Sequence, residues 1–207
     1  MTDPADLSHQ CAAAARVLRE GGLVAVPTDT YYGLAVDPAR PAAVARLGAV
    51  KGREPGKPIL LLLPDRTWAS RLAGPLPATF DRLADRFWPG PLTLVVPAGP
   101  GLAPELLAGG TTIGLRWPRA PFLEALFAVS PSPVTGTSAN RSGEPPLRTA
   151  AQIRAALGAA VDLVVEGPPC PGGPPSTVLD LTVTPPRVLR PGAVSEEAIR
   201  RGLSAAD

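Results

Sequence analysis

Lys51-Gly52-Arg53-Glu54-Pro55-Gly56-Lys57-Pro58-Ile59-Leu60-Leu61-Leu62-Leu63 carries the chain from the end of a helical pattern, through a basic turn, into a short apolar run. Pro41 opens the preceding helix, with Val44 and Leu47 directed inward, and Ile59–Leu63 has the length and composition of a fully buried strand. The turn superficially resembles a phosphate loop. However, three residues separate Gly52 from Gly56 where that motif has four, and Pro58 stands where a magnesium-binding Ser or Thr is required. A P-loop fold is therefore excluded. Lys51 and Lys57 are the only lysines among 20 basic residues. A compact ammonium in an otherwise arginine-based chain suits a local chemical need; a solvated basic loop is the other reading. Because helix C-termini repel anions, any phosphate or carboxylate here must be held by the side chains of Lys51, Arg53 and Lys57.

Working outward, an N-terminal helix from Asp3-Pro4 places Leu7, Cys11, Ala14, Ala15 and Leu18 at helical spacing and stops at Gly21-Gly22. Leu23–Val26 reads as a buried strand and 27–33 as a polar turn. Helical patterns cover 67–72 and 77–87 before Trp88-Pro89-Gly90-Pro91 breaks the chain. Strands follow at Leu92–Val96 and Thr112–Trp117, separated by a Gly/Pro-rich loop at 97–110, and Phe122–Val129 is helical. Pro133–Thr135 is a short strand entering a polar turn at 136–143, and Thr149 caps a helix carrying Ile153 and Leu157. Val161–Val165, Val178–Leu181 and Val188–Leu189 complete the strands, 167–175 is a Pro/Gly loop, and Ser195-Glu196-Glu197 opens the last helix. Strands and helices mixed without strict alternation predict an α/β or α+β sheet with helices packed on it. Loops at strand ends, namely 27–33, 51–58, 136–143 and 171–177, are where such a fold carries a site.

The 207 residues, 45% of them hydrophobic, suffice for one well-buried core, and the 28 prolines and 21 glycines indicate many short turns. A net charge of +2 argues against a strongly nucleic-acid-binding chain while permitting a local basic cavity. With two cysteines, Cys11 and Cys170, and one histidine, His9, neither a zinc site nor a disulfide framework is expected. No secretory leader or membrane span is read, so a cytoplasmic protein is expected.

Among polar candidates, Thr28, Asp29 and Thr30 offer hydroxyls and a carboxylate beside a strand end, or form a self-satisfied turn. Ser138 and Asn140 fall on one side if their backbone stays extended. Arg116 lies in a strand-like run, where its charge must reach water, a carboxylate or a ligand. Ser176 and Arg190 pose the same question on later strands, and together these arginines point to an anion-binding concavity. With His9 remote from any nucleophile set, chemistry here must rest on orientation and charge neutralisation.

Pro-Thr-Asp-Thr-Tyr-Tyr-Gly-Leu at 27–34, Lys-Gly-Arg at 51–53, Trp-Pro-Gly-Pro-Leu-Thr at 88–93 and Ile-Gly-Leu-Arg-Trp-Pro at 113–118 resemble the YrdC/TsaC family. So do Thr-Ser-Ala-Asn-Arg-Ser-Gly at 137–143, Pro-Ser-Thr-Val-Leu-Asp at 175–180 and Leu-Arg-Pro-Gly at 189–192. The resemblance runs from about residue 10 to 202. It implies a single YrdC-like domain over 1–207, of the short form, with a twisted, mixed open sheet flanked by helices and a basic concave cavity. It further implies an L-threonylcarbamoyladenylate synthase, a nucleotidyltransferase combining ATP, L-threonine and bicarbonate into threonylcarbamoyl-AMP and pyrophosphate. The product would pass to tRNA threonylcarbamoyl-transfer proteins, for modification beside the anticodon.

Carried over by position, the resemblance implies that Lys51 and Arg53 are catalytic and face the phosphates with Lys57. It puts L-threonine on Thr30, Arg53, Arg116 and Ser176, and the ATP on Lys51, Arg53, Lys57, Thr112, Ser138, Asn140, Pro146 and Arg190. No protein metal site is implied, since magnesium would arrive with the ATP phosphates. Leu62 stands where many relatives carry His, and Lys57 where many carry Asn. A non-catalytic module gripping RNA phosphates in the same cavity is the competing reading, with weak RNA binding its signature. The related carbamoyl-adenylate unit of hydrogenase maturation proteins would be accompanied by zinc-finger cysteines that are missing from this sequence.

Overall fold

The computed structural model describes residues 4–52 and 56–204. Its elements are α1 (Pro4–Arg19), β1 (Val24–Val26), β2 (Gly33–Ala35), α2 (Pro41–Lys51), β3 (Leu60–Leu62), α3 (Ala69–Leu72), α4 (Phe80–Phe87), β4 (Leu92–Pro97) and α5 (Pro104–Leu107). They continue with β5 (Thr112–Arg116), α6 (Pro121–Val129), β6 (Val134–Ser138), α7 (Ala150–Leu157), β7 (Leu163–Val164), β8 (Thr177–Asp180), β9 (Arg187–Arg190) and α8 (Glu196–Ser204). The strands form one mixed sheet in the order β7-β1-β2-β6-β3-β5-β4-β8-β9. Pairs β1/β7, β3/β5 and β4/β8 are parallel, and the others antiparallel.

The two-residue period of the strands assigns each face its task. Leu61, Leu92, Leu94, Ile113, Leu115 and Leu179 point to the face covered by α2, α4, α7 and α8, in a core with Val44, Leu47, Phe80, Leu83, Ile153 and Ile199. Each such fully buried leucine contributes about 1.5–3 kcal/mol over its exposed state. On the opposite face, α1 and α6 cover only one end of the sheet, packing Cys11, Ala14, Leu18, Leu123 and Leu126 on Val24, Val26, Ala35 and Val134. The part of that face built by β3, β5, β4 and β8 carries no helix among the described residues and becomes a cavity floor.

The cap at Thr149 matches the sequence reading. The Thr149 side chain accepts from Gln152 N while Gln152 reaches back to Thr149 N, a reciprocal capping box. Gly52, at φ 56°, ends α2 directly after Lys51 in a left-handed conformation that glycine adopts without strain. Three expectations change. The 97–110 loop contains α5, where Pro104 starts a helical turn that buries Leu106, whose carbonyl accepts from Ile59 N at 2.9 Å. Gly33, read as the end of the 27–33 turn, instead opens a strand, Gly33–Ala35. Gly136-Thr137-Ser138, read as a turn, extends β6, with Gly136 paired to Leu60 and Thr137 to Leu34. At Gly136 an added Cβ would fall 2.7 Å from both Leu60 Cδ1 and Leu62 Cγ, so these leucines lie directly over its backbone.

Candidate active site

The uncovered face opens into a cavity of about 630 Å³, within the range of small-molecule sites. Its floor is mainly apolar, with Leu60, Leu62, Val95, Val178, Gly114 and Gly136 around the hydroxyl of Thr93. Its charged lining is predominantly cationic among the described residues, with Lys51, Lys57, Arg116 and Arg190 against Glu144. The expected basic concavity is therefore present, on the face left open by α1 and α6.

Thr30, Lys51, Lys57, Thr112, Arg116, Ser138, Asn140, Pro146, Ser176 and Arg190 all line this one cavity. Arg53 lies outside the described residues. Strand register explains the convergence, because Thr112, Gly114 and Arg116 alternate on β5, and Gly136 and Ser138 on β6. His9 is exposed on α1, away from the site. Cys11 and Cys170 are free, and burial pushes both thiols up. Among the described residues no group of His, Cys, Asp or Glu is arranged to hold a metal ion, and no helix is long and apolar enough to cross a membrane.

Lys51 is only 4% exposed. Its ammonium donates to Ser138 O at 2.6 Å, Asn140 O at 2.9 Å and Asn140 Oδ1 at 3.3 Å. Its own carbonyl accepts from Ser142 N at 2.8 Å. The residue thus ties the end of α2 to the turn after β6 while bringing a positive charge to the cavity wall. The Asn140 amide donates onward to Arg141 O and Glu144 O, closing that turn. The backbone does not stay extended to Asn140, whose N–H bends back to Ser138 O; the two side chains share the cavity because the chain turns there.

Arg116 is 5% exposed, and its ion-pair partner is Asp29. Nη2 donates to both Asp29 carboxylate oxygens and Nε donates to Gly90 O at 2.9 Å. Nη1 has no hydrogen bond among the described residues, and no buried polar side-chain atom there lacks a partner, so Nη1 is reached from the cavity. Burial pulls the Arg116 guanidinium below the usual arginine range, with Asp29 opposing. Arg190 donates from Nε and Nη2 to Ser176 O at 3.2 and 2.8 Å, and from Nη2 to Ser176 Oγ at 3.0 Å. Partial burial and then the like charge of Arg116 hold Arg190 low. An anion between these guanidiniums relieves both penalties.

Asp29, a polar candidate of the 28–30 turn but not among the residues expected to hold a ligand, is the partner of Arg116, and Thr93 on the floor is a lining residue that the sequence reading does not assign to the site. Thr93 Oγ1 lies 3.1 Å from Ser176 Oγ. The alternation Leu92-Thr93-Leu94 carried the signal for Thr93: a lone hydroxyl opposite two core leucines. For Asp29 the sequence offers a carboxylate beside a strand end but not its partner, which is 87 residues away. The Thr28–Thr30 turn is the self-satisfied one, with Thr28 Oγ1 donating to Tyr31 O at 2.7 Å and accepting from Thr30 N at 3.2 Å. It also holds the 167–175 loop, through Gly172 N to Thr30 O at 2.8 Å and Tyr31 Oη to Gly173 O at 2.7 Å.

Residues 16–192 match the Sua5_yciO_yrdC family, described as telomere recombination. The chain is 38% identical over 191 residues to the threonylcarbamoyl-AMP synthase of Bacillus subtilis, covering 92% of this chain and 55% of that protein. It is 42% identical over 164 residues to the threonylcarbamoyl-AMP synthase of Thiobacillus denitrificans, covering 79% and 87%. The crystal structure of P. abyssi Sua5 complexed with L-threonine superposes with a TM-score of 0.91 at 34% identity, over 95% of this chain and 58% of that one. The chain thus spans little more than half of the B. subtilis and P. abyssi proteins. With the matched model extending from α1 to the end of β9 and the mixed sheet shared with Sua5, this chain belongs to the Sua5/YciO/YrdC family.

Proposed function

We propose that this chain is a nucleotidyl-transferring enzyme that makes threonylcarbamoyl-AMP and pyrophosphate from ATP, L-threonine and bicarbonate, supplying tRNA threonylcarbamoyl-transfer proteins. One observation carries the reading: a buried arginine, Arg116, keeps Nη1 open to a cavity that three further cations line among the described residues. That is a carboxylate site beside a polyphosphate site. Relatives named threonylcarbamoyl-AMP synthase and a Sua5 complex with L-threonine support the same assignment.

In this reading Arg116 takes the L-threonine carboxylate, with Thr30 and Ser176 within the same wall. Lys51, Arg53 and Lys57 take the ATP phosphates, and Thr112, Ser138, Asn140, Pro146 and Arg190 surround the AMP part. The amine of threonine, held neutral, adds to CO2 released from bicarbonate and gives up a proton to the hydroxide that bicarbonate leaves, so that a carbamate and water form. The carbamate oxygen attacks the α-phosphorus and pyrophosphate leaves. Carbamate and triphosphate repel at close range, and the cationic wall offsets that repulsion. Magnesium bound to the ATP phosphates adds positive charge there.

The test is one reaction of purified protein with magnesium-ATP, bicarbonate and each amino acid in turn, followed by pyrophosphate release and mass spectrometry of the adenylate. Release that depends on L-threonine and bicarbonate without RNA is expected. Release indifferent to both removes the proposal. Lys51→Ala and Arg53→Ala should each lower synthesis by about 100-fold or more.

A further inference from the structure

We propose that Asp29 is a positioning residue for amino-acid recognition. It holds the Arg116 guanidinium so that Nη1 alone meets the α-carboxylate of the incoming amino acid, an inference that rests on the reading above. A guanidinium carries five N–H donors in one plane. Here Gly90 O takes Nε and the two Asp29 oxygens take Nη2, which fixes both the plane and its rotation. The two donors left, both on Nη1, open to the cavity.

The two anchors sit behind the arginine. Asp29 and Gly90 line a second hollow, of about 490 Å³, on the other side of Thr30; neither lines the main cavity. Asp29 therefore meets a ligand of the main cavity only through Arg116. Its own backbone is held on both sides, by the Thr28 hydroxyl bonds to Tyr31 O and Thr30 N and by Gly172 N on Thr30 O. The carboxylate also compensates a charge that would otherwise sit almost fully buried near a second guanidinium, that of Arg190. The cost is that Asp29 reduces the net pull on an anion, so the device gives direction in exchange for charge. Direction matters more where a nucleophilic amine must be aimed at one carbon.

The experiment compares wild type with Asp29→Asn and Asp29→Ala, each checked for a native circular dichroism spectrum. It measures KM for L-threonine and for ATP by pyrophosphate release, and L-threonine affinity by calorimetry without ATP. Asp29→Asn should raise the threonine KM and dissociation constant by about 10- to 100-fold, with the ATP KM and kcat within about threefold. Formate, small enough to enter the second hollow, should lower the raised threonine KM of Asp29→Ala and leave that of wild type unlowered. If Asp29→Ala does not fold, Asp29→Asn carries the test. An unchanged threonine KM in folded Asp29→Asn overturns the inference. So does an equal rise in both KM values, which marks general damage, or a fall in kcat alone with a shifted pH profile, which marks a proton acceptor. Wild type that takes no L-threonine instead removes the functional reading, and this inference with it.

Discussion

Gly192, in the Leu189-Arg190-Pro191-Gly192 run, has no side chain because the start of β8 passes against it. A Cβ built there lies 2.2 Å from Pro175 O, 2.6 Å from Ser176 C and 2.6 Å from Thr177 N. All three are backbone atoms, so no rotamer change relieves the clash. Since Cβ contacts under 3.0 Å essentially never occur, Gly192→Ala must move the two segments apart by at least 3.0 − 2.2 = 0.8 Å. Those segments are pinned: Ala193 N donates to Pro175 O at 2.9 Å, Thr177 N to Pro91 O at 3.0 Å, and Thr177 Oγ1 to Val194 O at 2.7 Å. Overpacking of this kind costs about 1–3 kcal/mol, and a lost hydrogen bond adds about 1 kcal/mol. The expected destabilisation is therefore about 2–4 kcal/mol, a fall of about 4–16 °C in Tm for a chain of this size. Because Ser176 and Arg190 ride on the displaced segments, a shift near 1 Å should lower threonine-dependent kcat/KM by about 100-fold at a temperature where the variant is folded. Urea unfolding and pyrophosphate release measure the two effects. A Gly192→Ala protein with wild-type Tm and kcat/KM within twofold would refute the steric argument.

Thr93→Val keeps the shape of the floor and removes one hydroxyl from Ser176 Oγ, which retains Arg190; the threonine KM should rise about fivefold, with stability changed by less than about 1 kcal/mol. Burial pushes the Tyr32 hydroxyl up to about 12, where it donates to Val165 O at 2.9 Å. The unfolded chain ionises this group near 10, so the stability that Tyr32 contributes should be fully present below that pH and be lost as pH rises from 10 towards 12. Tyr32→Phe should lose about 1 kcal/mol at neutral pH and show a shallower alkaline decline of Tm. Thr149→Ala removes the capping box of α7 and should cost about 1 kcal/mol in urea unfolding, with pyrophosphate release at 25 °C unchanged.

Sequence alone determined the local features of this protein. Helix starts at Pro41 and Thr149 follow from backbone chemistry within a few residues. The runs at 59–63, 92–96 and 112–117 read as strands because they are short and bounded by Gly- and Pro-containing turns. The motifs that suggest the chemistry were equally legible, and ten of the expected binding residues line one cavity. Tertiary structure decided what depends on distant partners. Gly136-Thr137-Ser138 became strand because Leu60 and Leu34 lie beside it. Which face of the β3–β5–β4–β8 region stays open depends on how far α1 and α6 reach, which no periodicity encodes. The same holds for Arg116: the sequence required that its charge be met, but Asp29, 87 residues away, becomes its partner only once the sheet brings the two together. Electrostatic partners are chosen by proximity in space, and a one-dimensional pattern carries that information only for neighbours along the chain.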